Sequence, residues 1–262
     1  MPSEIHALVP TGFGINCEVE TGEALRRAGA SPTLVHLNDL IEQTSLWAQA
    51  QILVLPGGFS FGDHLGAGKV LANRLRIRLG PTLRRFVADG GLVLGICNGF
   101  QTMARLGLVP FATVDDDAQV VALAPNQHGH FYDGWISLRV DPDSPCVFTR
   151  HLQTIELPVR HGEGRIVTDN AVLDRIRNEH LCPLRYGLAD GEATTFPQNP
   201  NGSPDGIAGL CDPSGRLFGL MPHPEAFLYP HNHPLWRRRA NLPKDGDGLQ
   251  IFVNAVDAAR GR

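Results

Sequence analysis

The chain has few cysteines, and they are poorly placed for structural work: Cys17, Cys97, Cys146, Cys182 and Cys211 are odd in number, widely scattered and contain no Cys-x-x-Cys pair. That pattern argues against structural zinc and suits a reducing compartment. No apolar run approaches the ~18 residues of a membrane span, and the N-terminus lacks a charged segment leading into an apolar one. A cytoplasmic location is the expectation. An excess of basic charge is missing as well. Lys and Arg number 23 against 27 Asp and Glu, a formal net charge of −4, which argues against nucleic acid or an anionic membrane as the main partner. Arg237-Arg238-Arg239 is the only tight basic run and reads as solvated surface. A phosphate-binding loop is absent too. Gly66-Ala67-Gly68-Lys69 comes near one, but Asp63 stands where the first Gly is needed and Val70 where Ser or Thr is needed.

What is present is an alternation of strands and helices. Ile5 to Val9 is apolar, a glycine-containing loop follows, and Glu18 to Ala28 has helical spacing closed by Gly29. Thr33 to Leu37 and Ile52 to Leu55 read as the next strands. Helical spacing returns from Lys69 to Leu79, and Pro81 suits the first turn of a separate helix reaching Ala88. Leu92 to Leu94 is a fourth strand. Such alternation implies a parallel sheet with helices on both faces. From about Ala118 shorter alternating runs, Trp135 to Val140 and Thr154 to Val159, predict an antiparallel extension. Arg216 to Met221 is one more strand and Gly248 to Ala259 a closing helix. Thr195 to Asp205, rich in Pro, Asn and Gly, is expected to be a surface turn cluster.

The chemistry concentrates at Gly95-Ile96-Cys97-Asn98-Gly99-Phe100-Gln101. Small residues two before and two after Cys97 allow a sharp strand-to-helix turn, because side chains would collide where strand and helix pass. The following segment is helical, so Cys97 stands at a helix N-terminus, a setting that favours a nucleophilic sulfur. A cysteine nucleophile needs a base and a group that orients the base. Met221-Pro222-His223-Pro224-Glu225 offers both, with His223 and Glu225 on one side of an extended stretch held by two prolines. In Pro56-Gly57-Gly58-Phe59, the backbone N–H of Gly58 or Phe59 can join that of Asn98 as an oxyanion hole. His231 and His233 could join His223 as metal ligands, but no second cluster completes a site, and Asp115-Asp116-Asp117 reads as a solvated loop. No metal is expected.

Together, the cysteine and histidine motifs resemble those of the class I (triad) glutamine amidotransferases. Within them, Pro56-Gly57-Gly58-Phe59-Ser60-Phe61-Gly62-Asp63, His161-Gly162-Glu163-Gly164 and Asn199-Pro200-Asn201-Gly202-Ser203 are similar to the glutaminases of phosphoribosylformylglycinamidine synthases. The resemblance runs from Ile5 to Ala258. It implies one domain over residues 1–262, with a flavodoxin-like α/β fold: a mostly parallel central sheet, helices on both faces and a small antiparallel extension. It also implies Cys97 as nucleophile, His223 as acid and base, and Glu225 as orienting carboxylate, with Gln101, His161, Gly162 and Glu163 helping to hold L-glutamine. Asn16-Cys17-Glu18 corresponds to a first-loop motif. No cofactor is implied for this chain. ATP and Mg²⁺ are expected on a larger synthase subunit, and a small bridging subunit is a further candidate partner. Two departures bear on docking to that partner: Gly66 stands where the resemblance expects Arg, and the loop from Thr11 to Ile15 is altered. The alternatives are an amidotransferase serving a different synthase, a DJ-1-like cysteine hydrolase and a degenerate regulatory module. The intact His223 and Glu225 pair argues against the last two.

Overall fold

Four short apolar runs, buried along their length, become neighbours in one sheet. They are the core of β1 (His6–Thr11), then β3 (Ile52–Leu55), β4 (Leu92–Ile96) and β11 (Leu217–Leu220). Continuous burial is what a strand between two helical layers requires. The structure is a computed structural model and describes residues 4–112, 119–188, 195–239 and 241–261. With β2 (Ser31–His36) outermost, the order β2-β1-β3-β4-β11 is parallel throughout. The sheet then continues in antiparallel pairing through β10 (Ile207–Cys211), β9 (Leu184–Tyr186), β6 (Tyr132–Val140) and β7 (Thr154–His161), giving nine strands. A separate two-stranded ribbon pairs β5 (Ala122–Pro125) with β8 (Glu163–Val167).

Right-handed crossovers put the helices on opposite faces, because β1 leads to β2 on one side while β3 leads to β4 on the other. Helices α1 (Glu18–Arg27) and α6 (Leu249–Arg260) pack together, as do α3 (Lys69–Ala88) and α4 (Asn98–Arg105). Among the described residues, a short α2 (Leu37–Glu42) and α5 (Asn170–Asn178) are the remaining α-helices. One connected apolar cluster runs from Ile5 to Ala259 and joins both halves of the sheet.

Three expectations need correction. The break at Pro81 does not occur: α3 is one 20-residue helix with Pro81 inside it. Proline removes the bond to the carbonyl four residues back, here that of Ile77, which is 76 % exposed, so water can take the freed acceptor. The second strand ends at His36, whose side chain accepts from the Asn38 N–H and starts α2. The cluster from Thr195 to Asp205 is not all surface. Asn199, Asn201 and Ser203 are buried: Asn199 bonds the Ser203 carbonyl within the turn, and Asn201 and Ser203 bond the backbone of Gly164 and Ile166 in β8. Asp115-Asp116-Asp117 lies outside the described residues.

Candidate active site

Strand β4 delivers Cys97 at φ 51° and ψ −103°, a conformation that non-glycine residues hold only where the surroundings over-determine it. Two close approaches impose it. A Cβ on Gly99 would lie 1.9 Å from the Leu55 carbonyl oxygen, and one on Gly95 would lie 2.8 Å from the Gly99 carbonyl. Strand and helix thus pass at glycine distance. The thiol is buried at the start of α4, with Sγ 3.9 Å from the carbonyl oxygen of Arg160 in β7. Asn98 opens the helix, where backbone N–H groups have no acceptor of their own within it.

After β11 the chain turns through Met221-Pro222-His223 into a helical turn, Pro224–Ala226. The His223 N–H bonds the Pro158 carbonyl at 2.8 Å, which ties the turn to β7. Nδ1 of His223 donates to Glu225 Oε1 at 2.6 Å, and both side chains are buried. Glu225, an acceptor when ionised, fixes the tautomer and leaves Nε2 without a partner inside the protein. Nε2 is the nitrogen left to face the Cys97 thiol. Burial works against a charged ring, yet the Glu225 carboxylate, Cys97 and Cys17 together hold its proton affinity well above the ordinary histidine range. The ring is thereby held as an imidazolium more firmly than an ordinary histidine.

Of the two loop N–H groups expected as oxyanion donors, one is already engaged. The loop after β1 lies against the loop after β3: Phe59 N–H donates to the Gly14 carbonyl at 2.8 Å, and Ile15 bridges Gly58. The Phe59 N–H is therefore engaged, and Gly58, at a left-handed φ of 149°, carries the other N–H of the expected pair. Phe13, in the altered first loop, stacks on Phe61 with ring centroids 4.7 Å apart, so the same contact that engages Phe59 is sealed by aromatic packing.

Three walls close on the thiol and are cross-linked by side-chain amides. Asn98 donates to the Asp63 carboxylate at 3.1 Å and to Gln101 Oε1 at 2.9 Å, while its oxygen accepts from the Ser60 N–H at 3.2 Å. Gln101 in turn donates to the Glu163 carbonyl at 2.8 Å. Gln101 lines the pocket, but both ends of its amide are already engaged, so it positions the walls rather than reaching freely toward a ligand. Burial pushes the Asp63 carboxyl up even though Gly68 N–H and Asn98 bond to it. Gly162 and Glu163 line the same cavity, of about 170 Å³. That is well below the ~300 Å³ at which drug-sized pockets begin, so it selects a small ligand.

His161 is buried and firmly oriented. The Asn126 amide donates to the carbonyls of His130 and His161, so its oxygen must accept from His161 Nδ1 at 3.0 Å. Burial, and then the nearby His223, drive the His161 ring's pKa down to about 3, which keeps it neutral. The departure at Gly66 is covered from elsewhere. The Arg105 guanidinium of α4 lies over it, within 3.0 Å of where a Cβ would stand, and donates to the Ala67 carbonyl. A cation is thus present where the resemblance expects one.

Sequence reasoning missed the tie from Asp63 to Asn98, the Asn126 clamp and the position of Cys17, whose Sγ lies 4.0 Å from His223 Nδ1. His231 and His233 join no group with metal-ligand spacing among the described residues. His233 instead meets Trp135 edge-on, with centroids 4.6 Å apart, and Arg239 of the basic run pairs with Glu156. A larger cavity of about 710 Å³, between Trp47, Arg85 and Gly91, opens at the amino ends of β3 and β4, away from the thiol.

The sequence family described as the CobB/CobQ-like glutamine amidotransferase domain matches residues 4–257. The chain belongs to that family. Among curated relatives, this amidotransferase is 42 % identical to "Phosphoribosylformylglycinamidine synthase subunit PurQ" of Dehalococcoides mccartyi, over 98 % of this chain and 99 % of the relative. It is 40 % identical to the subunit of the same name from Methanococcus maripaludis, over 95 % and 96 %. A solved structure described as PurLQS from Thermotoga maritima superposes with a TM-score of 0.70 at 29 % identity, covering 98 % of this chain and 99 % of that one. No helix among the described residues is long and apolar enough to cross a membrane.

Proposed function

We propose that this amidotransferase is the glutaminase subunit of a phosphoribosylformylglycinamidine synthase. It hydrolyses L-glutamine and passes ammonia to a larger subunit that amidates formylglycinamide ribonucleotide in purine biosynthesis. The observation that carries the reading is the full-length likeness to PurQ proteins, supported by the hydrogen-bonded His223 and Glu225 pair and by the buried Cys97 at its tight turn.

In this reading glutamine enters the cavity with its side-chain amide against Cys97. The thiolate attacks the amide carbon, and the oxygen becomes negative between the N–H groups of Asn98 and Gly58. Each such donor is worth about 3 kcal/mol of barrier when aligned. His223 gives its Nε2 proton to the leaving ammonia, and the γ-glutamyl thioester remains on Cys97. A water then gives its proton to His223 and attacks the thioester, releasing glutamate and restoring the thiol. Glu225 keeps Nδ1 protonated throughout, so Nε2 alone exchanges protons. Glu163 and Arg160, on the cavity wall, bring the two signs of charge that an amino-acid zwitterion needs.

Free ammonia is mostly protonated at neutral pH and a poor nucleophile, so transfer requires a shielded route into the partner. ATP and Mg²⁺ belong to that partner, which a small bridging subunit joins. The test is ammonia release from glutamine by the purified chain, alone and with the synthase subunit and its ligands. Activity that rises with the partner and disappears in Cys97→Ala supports the proposal. Equal rates with and without every candidate partner would sink it.

A further inference from the structure

We propose that Cys17, His223 and Glu225 form an inhibitory zinc site on the face of the imidazole turned away from Cys97. One donor atom from each lies within 4.8 Å of the other two, and all three residues are buried. Sulfur and Nδ1 are 4.0 Å apart, and Nδ1 and Oε1 are 2.6 Å apart. Tetrahedral zinc with one sulfur and one nitrogen ligand spaces its donors by about 3.5 Å, so shifts of under about 1 Å would seat the ion. The approach past Gly57 is close: a Cβ there would stand 2.8 Å from His223 Cε1, 3.2 Å from Cys17 Sγ and 3.4 Å from His223 Nδ1, so only glycine lets the sulfur and the ring come together here, and the ring must shift to admit the ion.

The donor set selects the metal. Thiolate with imidazole and carboxylate suits zinc, whereas Mg²⁺ and Ca²⁺ take oxygen ligands. Charge also balances, since a thiolate and a carboxylate neutralise a divalent ion in a buried place where net charge is unfavourable. Glu225 Oε2 is buried without a partner and can turn onto the metal. Burial pushes the Cys17 thiol up, with the bond to His223 working the other way, so the ion must displace the proton from the sulfur as it binds. On binding, the thiol proton of Cys17 and the Nδ1 proton of His223 leave to solvent, and one Zn–S, one Zn–N and one Zn–O bond form with no change of oxidation state. The metal-bound ring is then neutral and carries its remaining proton on Nε2. It cannot collect a proton from Cys97, and it is a weaker acid than an imidazolium toward departing ammonia.

The test uses Cys97→Ala protein, so that the nucleophile cannot act as a competing ligand. Titration with Co²⁺ is expected to raise a thiolate-to-cobalt charge-transfer band that saturates at one equivalent and that zinc abolishes. Adding Cys17→Ser should remove the band and weaken zinc binding at least ten-fold in competition with a chromophoric chelator. Glu225→Gln, read the same way, tests the carboxylate without touching a cysteine. No band in Cys97→Ala protein, or a band that survives loss of Cys17, overturns the site. In the unaltered protein, zinc should inhibit glutamine hydrolysis reversibly, with recovery on adding a chelator. Saturation with zinc that leaves hydrolysis unchanged overturns the inhibitory role. That last measurement rests on the proposed glutaminase activity, whereas the cobalt spectrum does not, so failure of one is distinguishable from failure of the other.

Discussion

Cys97 and His161 face one pocket but are held there by different means. The parallel half of the sheet places its chemistry with backbone: Cys97 sits at a strained φ of 51° because Gly95 and Gly99 let strand and helix touch, and His223 follows the end of a buried strand. The antiparallel half places its walls with buried amides and hydroxyls. Asn201 donates to the Gly164 carbonyl at 2.9 Å and to Tyr186 at 3.0 Å and accepts from Ser203, while Asn126 clamps His161. Backbone placement is rigid and tolerates loss of a side chain. A network of buried polar groups is stable only while every member is satisfied. Mutations in the first half should therefore remove activity and spare the fold, and those in the second should do the reverse.

The largest effect is expected at Cys97, the proposed nucleophile. Cys97→Ala should lower glutamine hydrolysis by about 10⁴-fold or more while leaving the melting temperature nearly unchanged, since removing a triad member leaves only binding and the oxyanion hole. Cys97→Gly should be equally inactive but more stable than Cys97→Ala, because glycine relieves a strain of about 1 kcal/mol. Denaturant midpoints for the two variants check this, and a less stable glycine variant would show that the elbow is not strained. Next comes Glu225, the proposed orienting carboxylate. Glu225→Gln removes the acceptor that holds Nδ1 protonated, and kcat should fall by about 10³-fold or more with the pocket intact. Glutamine binding measured by calorimetry should be preserved in that variant.

The second half should respond in the opposite way. Asn201→Ala leaves a buried carbonyl, a tyrosine hydroxyl and a serine hydroxyl without their partner, which costs about 2–3 kcal/mol of stability. KM should rise more than kcat falls, because the Gly164 end of β8 loosens while the elbow does not move. A variant of normal stability but no activity would break the division between the two halves.

The same division explains what the sequence discloses. Residues of the first half were readable because each obeys a local steric rule: a glycine pair around a cysteine, and an apolar run between two helical layers. Phe59 was not, because its N–H is engaged by the Gly14 carbonyl, a contact between loops more than 40 positions apart. Nor was the continuity of α3 through Pro81, which depends on Ile77 facing solvent. Asn199 to Ser203 read as surface because Asn, Pro and Gly signal turns, and nothing local says that such a turn is folded inward over β8. Cys17 showed only as part of a loop motif. Its place behind His223 depends on β1 and β11 lying in one sheet with β3 and β4 between them.

The smallest effect sharpens the comparison at His161 itself. Its folded pKa of about 3 lies below the ordinary 6.5 of the unfolded chain, so between those values the unfolded state holds a proton that the folded state refuses. Stability from this group is fully present above pH 6.5 and is lost as pH falls through the window, by about 1 kcal/mol per pH unit once well inside it. His161→Gln keeps a donor for Asn126 and removes the titration. Its stability should start lower at pH 7 yet decline less steeply between pH 6.5 and 5 than that of the unaltered protein, as read from denaturant midpoints. Other titrating groups are common to both proteins and cancel in the difference of slopes. Parallel declines would mean that His161 gains a proton in the folded state, and that the wall of amides is open to water.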